Sequence, residues 1–332
     1  MFSVIYKKFF LIVSALVFAV SFLIIGVFGL SYSIDFTGGA LLEVRYETAP
    51  GKTVVEGAAA TQNLGSVSVR ETSLGDRGNG YLIRTRDLSE DERIALEDAL
   101  LAIGEGASIE RYTTVGPTIG AELSSKALWA IALVSLVIIL YVAYAFAGIG
   151  KPVSAWIYGL ITIVVLIHDV IVPTAMMSLL GYFTGAEVDV LFVMAVLAVL
   201  GYSVNDTIVV FDRVRENLQA NRTEKRTKIV EPGGIEREEV EYTLTKPFPE
   251  IIGPAVTETL SRSINTSLTT LLALTALYIL GGSLTQNFAL VLMAGVVAGT
   301  YSSICMAVPL LVAYESWQAK KMKVEVVAQS SL

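Results

Sequence analysis

"LGYSVNDTIVVFDRVREN", residues 200–217, decides how the chain is read. Its first half finishes a long apolar run, yet Asn205 and Asp206 lie inside that run. An Asp at the centre of a membrane helix costs about 2.5–3.5 kcal/mol on insertion scales. A residue kept there normally faces other helices or water and is a functional candidate by default. Tyr202, Asp206 and Arg213 fall at i, i+4 and i+11, on one helical face. Asp206 sits about 8 Å inside the end of the run, at 1.5 Å per residue. It reads either as an acid near a helix end that pairs with Arg213, or as a carboxylate that exchanges a proton or ion. The second is the working expectation.

The composition around this stretch asks for a membrane. The chain has 332 residues, 54% hydrophobic and 17% charged, with a mean hydropathy of +0.64. Soluble domains hold about 45–50% apolar residues. Crossing hydrocarbon takes about 20 apolar residues in a helix, and six stretches qualify or nearly do: 9–30, 127–147, 153–180, 188–211, 263–280 and 288–313. The first follows Lys7 and Lys8, as a signal peptide would. It outruns the roughly 7–15 apolar residues of such a signal and no small-x-small cleavage site follows, so it reads as a retained anchor.

Positive charge orients the spans. Lys7 and Lys8 precede span 1, Lys151 follows span 2, Lys320, Lys321 and Lys323 follow span 6, and the segment between spans 4 and 5 is rich in Arg and Lys. The links "GYFTGAEVD" and "GGSLTQN", after spans 3 and 5, contain neither. One topology satisfies every link: both termini cytoplasmic and residues 31–126 outside. The expected organisation is therefore a cytoplasmic N-terminus with span 1 (1–30), an extracytoplasmic domain (31–126), spans 2–4 (127–211), a charged cytoplasmic loop (212–253), spans 5–6 (254–315) and a cytoplasmic tail (316–332).

The outer segment alone is large enough to fold. "ALLEVRY" alternates like a strand, "KTVVEGAAATQNL" reads helical, and "SVSVRET" and "GYLIRTR" flank the turn "SLGDRGN". "SEDERIALEDALLAI" carries a capping box at Ser89 and Glu92, and "SIERYTTV" closes as a strand. The order βαββαβ predicts a ferredoxin-like α+β domain. The fold class is thus a polytopic α-helical membrane protein with six transmembrane helices and one such domain between helices 1 and 2. The cytoplasmic loop is expected to have helical ends and a mobile middle around "EPGG".

Other function classes find little support. The net charge is −7 and the Lys and Arg residues are dispersed, which leaves nucleic acid no electrostatic footprint. A single cysteine, Cys305, excludes an intrachain disulfide and makes a Cys-based metal site implausible, and a single histidine, His168, excludes chemistry that needs a His pair. No nucleophile–base pair or metal-ligand cluster appears, so a membrane enzyme is the weakest reading and no cofactor is expected.

Two more polar sites interrupt the spans. "PAVTETLSRSINTSLTTL" places Glu258, Arg262, Asn265 and Thr269 at i, i+4, i+7 and i+11, one polar stripe on an apolar helix. Pro254 suits a first helical turn, which puts Arg262 two turns in. Spans 4 and 5 meet the same side, so Arg262 can approach Asp206, or it can snorkel. Ser263, Ser267 and Thr270 read as hydroxyls bonded to their own helix. "LIHDVIV" places His168 and Asp169 mid-span; adjacent residues point about 100° apart, so they are not expected to pair by themselves. Relay and structural roles are open for both. Outside, "SIDFTGGALLEV" holds Asp35, Gly38 and Gly39, and "VGPTIGAELS" holds Gly116 and Pro117 where the domain returns to span 2. Both read as rigid couplings. No helix follows the glycines as a phosphate loop requires.

These motifs in this order resemble the SecF family, the smaller partner of bacterial SecD–SecF: "IDFTGG", "VGPTIG", "HDV", "GYSVNDTIVVFDRVREN" and "ETLSRSINTSLTTLLAL", over nearly the whole chain. Ser33 stands where that family usually has glycine, and the cytoplasmic loop looks longer. The resemblance implies resistance–nodulation–division architecture in the bacterial cytoplasmic membrane. It also implies use of the proton-motive force, with protons as the coupling ion, to draw exported polypeptide outward. Asp206 and Arg262 fall on positions the family associates with proton conduction. The implied partners are SecD, the SecYEG translocon, the unfolded exported polypeptide and membrane lipid, with YajC and YidC as further candidates. The rivals are a non-conducting scaffold and a proton-coupled transporter of a small or lipid substrate.

Overall fold

The computed structural model describes residues 2–73, 79–146, 153–230 and 236–330. A short helix α1 (Phe2–Ile5) leads into α2 (Lys7–Phe28), and a one-turn helix α3 (Ile34–Thr37) follows. The α+β domain then runs β1 (Gly39–Tyr46), α4 (Lys52–Ala60), β2 (Ser68–Ser73), β3 (Asn79–Thr85), α5 (Glu90–Leu101) and β4 (Ser108–Val115). The bundle follows as α6 (Pro117–Ala145), α7 (Ala155–Thr184), α8 (Val190–Ala220), α9 (Phe248–Leu280), α10 (Ser283–Ser302) and α11 (Val308–Ser330), with β5 (Arg222–Val230) and β6 (Glu236–Leu244) between α8 and α9. Among the described residues, six helical stretches are long and apolar enough to cross a membrane.

The bundle is layered by burial. Phe9, Ile12, Leu16 and Leu23 on α2 and Leu128, Trp129, Leu133 and Leu140 on α6 stand exposed. That much contiguous apolar surface is foreign to water and is what a span presents to hydrocarbon. α7, α8 and the start of α11 form the inside, where Val165, Leu200, Val210, Phe211, Ile252, Val308 and Leu311 share one core. At one end Phe146 stacks on Tyr158 at 5.5 Å, and Tyr158 meets Phe211 edge-on at 5.1 Å. α10 lies close on α8 because Gly295 and Gly299 face it: a Cβ added at Gly295 would fall 2.1 Å from Val199 Cγ2, and one at Gly299 would fall 3.0 Å from Ser203 Cβ.

The domain has the predicted ferredoxin-like plan. β1 pairs antiparallel with β3 and β4, and β3 with β2, in the order β2-β3-β1-β4. Alternation sends Leu42, Val44, Tyr46 and Ile83 to one face, where Val55 of α4 and Leu96 and Leu100 of α5 cover them. Ser89 and Glu92 close the capping box on α5. Residues 74–78 of the turn "SLGDRGN" lie outside the described residues.

Four local expectations are corrected. The loop between spans 4 and 5 does have helical ends, but its middle is a two-stranded antiparallel sheet, β5 with β6, registered from Arg222↔Leu244 to Val230↔Glu236. Strand-compatible runs flank the Pro-Gly-Gly of residues 232–234, the composition of a hairpin; the tip, 231–235, lies outside the described residues. Pro254 is not in a first turn. α9 begins at Phe248, Pro249 takes the early position where a missing N–H costs nothing, and Arg262 stands nearly four turns in. The sixth span is present, with one irregularity: Ser303–Ala307 form a π-helical turn between α10 and α11. Pro309, two residues on, has no N–H to bond the Cys305 carbonyl, which removes one α-helical bond at this turn. The other two, on His168 with Asp169 and on Ser263 with Ser267, belong to the site.

Candidate functional site

Two buried carboxylates organise the bundle interior, and α8 touches both. Asp206 is 5% exposed. Its Oδ1 accepts a hydrogen bond from Ser263 Oγ of α9 at 3.2 Å, while its Oδ2 is buried without a hydrogen-bond partner. The pairing with Arg213 considered from sequence does not form: Arg213 instead bonds Glu258 of α9 and Glu216. The reason is register. α8 and α9 run antiparallel, setting residue 213 against 258, 206 against 263 and 202 against 267.

Asp169 lies deeper, fully buried on α7. Here the expectation that His168 and Asp169 would not pair is overturned, since His168 Nδ1 lies 3.0 Å from Asp169 Oδ1. His168 lies tilted against Tyr301 of α10, with ring centroids 6.2 Å apart. The other oxygen, Oδ2, accepts from Ser203 Oγ of α8 and from Ser302 Oγ of α10 at 2.7 Å. Three spans thus converge on one carboxylate. His168 Nε2 is buried and has no hydrogen-bond partner. Pro173 inside α7 withdraws the N–H that would otherwise bond the Asp169 carbonyl.

A third polar junction links α8, α9 and α10. Tyr202 donates to Ser267 Oγ at 3.3 Å, and Ser267 shares a hydrogen bond with Thr300. The reading of Ser263 and Ser267 as self-bonded hydroxyls is therefore corrected, whereas Thr270 does bond its own helix at Thr266 O. Ser203, Ser302 and Thr300 were not singled out from sequence. The signal available was "AGVVAGTYSS", where Gly295 and Gly299 precede Ser302 and Ser303 at helical spacing.

The polar stripe of α9 turns the other way. Glu258, Arg262, Asn265 and Thr269 are exposed, and so is Asn205 on α8. Among the described residues Arg262 makes no ion pair, and the Asp206 carboxylate is met by its neighbour Ser263 instead. No three His, Cys, Asp or Glu side chains among the described residues group as a metal site. The interior thus holds two carboxylates and an imidazole, with serine hydroxyls bonded to both carboxylates.

The coupling residues meet at the domain's base. Gly38 and Gly39 have φ of +71° and +123°, conformations that favour glycine. A Cβ at Gly38 would lie 2.9 Å from Pro117 Cα, and one at Gly39 would lie 2.5 Å from Thr85 O. Gly116 is the N-cap of α6 and Pro117 occupies its first turn, so the exit of α2 and the entry of α6 are packed together. Asp35 Oδ2 accepts from Val190 N at 3.2 Å, at the head of α8.

Comparison with known proteins now adds to this geometry. Residues 95–233 and 235–317 match the family "Protein export membrane protein SecD/SecF, C-terminal", and residues 23–50 match the SecD/SecF GG motif, which contains Gly38 and Gly39. The chain is 35% identical over 296 residues to protein translocase subunit SecF of Anaerolinea thermophila, covering 89% of this chain and 87% of that one. It is 38% identical over 288 residues to SecF of Sebaldella termitidis, covering 85% and 82%. The crystal structure of SecDF, a translocon-associated membrane protein from Thermus thermophilus, superposes with a TM-score of 0.76 at 31% identity, over 94% of this chain and 38% of that one. With the GG motif, the six spans and the ferredoxin-like domain all in the matching order, this chain belongs to the SecF family of protein-export membrane proteins.

Proposed function

We propose that this chain works with SecD as an accessory subunit of the Sec translocase and couples the proton-motive force to late export of polypeptide. The observation that carries this reading is Asp206: a carboxylate inside a membrane helix, held by one serine hydroxyl, with its second oxygen buried and unpartnered. An ionised group so poorly satisfied is costly in that environment, and taking up a proton relieves it. Protonation changes what Asp206 offers Ser263 and the nearby Arg262, and so biases how α8 packs on α9.

At about 100 mV a single proton is insufficient for a full inversion, so this reading asks for more than one proton, a pH gradient or a smaller population swing. One charge crossing 100 mV gains about 2.3 kcal/mol. Inverting a population from 1:99 to 99:1 takes about 5.5 kcal/mol. The His168–Asp169 pair is a second titrating candidate, because it reaches the same helix, α8, through Ser203. SecD finds support in the exposed face of Asn205, Arg262 and Asn265, which is ill suited to lipid. The Lys and Arg distribution supports the bacterial cytoplasmic membrane with both termini inside. SecYEG, YajC, YidC and the emerging polypeptide are the further partners of this reading.

The test is export of a secreted reporter into proton-energised vesicles holding this chain with SecD, comparing wild type with Asp206→Asn and Arg262→Ala. Asn keeps size and hydrogen bonding but cannot titrate. Loss of the proton-dependent fraction of export, with assembly intact, is expected. Export at the wild-type level in Asp206→Asn would make the carboxylate structural and the chain a scaffold.

A further inference from the structure

The link between α7 and α8 is short and carries Glu187. Gly185 ends α7 in the left-handed region, at φ +73°. Val188 N–H then donates to Ser31 O at 2.7 Å, and Ser33 N–H donates to Val188 O at 2.9 Å, a two-residue parallel ladder with the exit of α2. Asp189 caps α8 by accepting from Phe192 N at 2.8 Å. The link is therefore fastened to the first turn of α8, the helix that carries Asp206.

The domain reaches down to this link with two arginines. In β2 and β3 the residues facing α4 and α5 are Val69, Tyr81 and Ile83. Arg70 and Arg84 alternate onto the opposite, helix-free face. Both meet one carboxylate: Arg70 Nη1 lies 3.1 Å and Arg84 Nη1 lies 3.3 Å from Glu187 Oε1. Arg70 also donates to Gly185 O, and Arg84 donates to Tyr32 O at 2.7 Å and to Thr37 Oγ1. All three side chains are partly buried, at 33%, 25% and 20% exposure for Arg70, Arg84 and Glu187.

We propose that the Arg70–Glu187–Arg84 clamp is the joint through which the head of α8 moves the α+β domain, with Glu187 as its positioning residue. This rests on the proposed role of Asp206. The chain's covalent entries to the domain come from α2 and α6. Those entries are packed against each other at Gly38, Pro117 and Gly120, where a Cβ on Gly120 would lie 2.7 Å from Gly38 N. Neither entry belongs to α8. A shift of α8 reaches the sheet through residues 185–190; Asp35 holds Val190 N there, and the contact with the sheet itself is one carboxylate against two guanidinium groups. Arginine suits such a joint, because its planar donor fork fixes direction as well as distance.

The experiment uses the full chain with SecD in vesicles, Cys305→Ala, and spin labels at Asp98→Cys on α5 and Thr184→Cys at the end of α7. Pulsed EPR distances are compared between Asp206 and Asp206→Asn in three backgrounds: Glu187, Glu187→Gln and Glu187→Asp. The expected result is a shift between Asp206 and Asp206→Asn with Glu187 present, lost and replaced by a broader distribution in Glu187→Gln. Glu187→Asp keeps the charge and retains part of the shift. Proton-dependent export falls at least fivefold in Glu187→Gln at unchanged membrane level and SecD capture. An unchanged shift in Glu187→Gln overturns the joint, and so does the absence of any shift with Glu187 present. Wild-type export in Asp206→Asn instead overturns the proton-coupling reading, independently of what the distances do.

Discussion

Asp169 offers a quantitative test of how the bundle is held. Its carboxylate takes Ser203 and Ser302 on Oδ2 and His168 on Oδ1. In Asp169→Leu, Ser302 keeps a second acceptor, Gly299 O at 3.1 Å, so the stranded donors are the Ser203 hydroxyl and His168 Nδ1. A buried unsatisfied donor costs about 1–3 kcal/mol in water-soluble proteins. Inside membranes, measured coupling averages about 0.6 and reaches about 1.7 kcal/mol, because the unfolded state in lipid also finds partners. Taking the membrane values for two donors, Asp169→Leu should destabilise by roughly 1–3.5 kcal/mol. Ser302→Ala should cost about 0.6–1.7 kcal/mol in the native background and close to nothing once Asp169 is Leu. The coupling energy of that double-mutant cycle is then nearly the whole Ser302→Ala effect. Reversible unfolding in bicelles, by steric trapping, measures it. Ser303→Ala is the control, since its hydroxyl bonds its own helix at Thr300 O, 3.1 Å away. A Ser302–Asp169 coupling no larger than the Ser303 control, with all variants folded, would refute the reasoning.

Two further outcomes are expected. Gly39→Ala puts a Cβ 2.5 Å from Thr85 O at φ +123°, so it should lower stability by at least about 1–3 kcal/mol, the ordinary cost of a backbone held in a sparsely populated region; Gly116→Ala, with open space around the Cβ, should change little in the same thermal melt. Glu92, bonded by Arg86 and by the Ser89 backbone N–H, has its carboxyl held down at about 2 from an ordinary 4.5. A depressed carboxyl contributes stability that is complete above 4.5 and lost as pH falls through about 2. The stability difference between wild type and Glu92→Gln, followed by hydrogen exchange on α5, should therefore shrink across that window and be constant above it.

What could be read from the sequence was what repeats along one helix or strand. The spans, the βαββαβ order and the capping box at Ser89 rest on local periodicity and local hydrogen bonds, which a sequence displays directly. The site did not separate so cleanly. Asp206, His168 and Asp169 stood out because charge inside an apolar run is conspicuous. Ser203 and Ser302 did not, because a serine in a membrane helix usually bonds its own carbonyls, and only the closeness of α8 and α10 turns these two toward Asp169. The same logic explains the error over Ser263. Whether a hydroxyl looks inward is decided by which face its neighbours cover, and the stripe of Glu258, Arg262, Asn265 and Thr269 shows that polar periodicity does not say which way the stripe points.

That outward stripe sharpens the argument about partnership. Inside the bundle, each polar side chain of α8 and α9 that turns inward finds a partner from this chain: Asp206 with Ser263, Tyr202 with Ser267, Ser203 with Asp169. On the open side, Glu258 is answered by Arg213, but Asn205, Arg262 and Asn265 face away from the bundle. Arg262 stands just ahead of the apolar run 263–280, so its cost against hydrocarbon is below the roughly 2.5–3.5 kcal/mol of a helix-centre arginine, and each uncovered amide adds to it. Lipid on that face works against insertion, while another membrane protein with acceptors at the same depth works for it. The exposed apolar faces of α2 and α6 carry no such demand. A partner helix bundle is thus expected on the α8–α9 side, with hydrogen-bond acceptors within reach of Arg262, one helical position from the serine that holds Asp206.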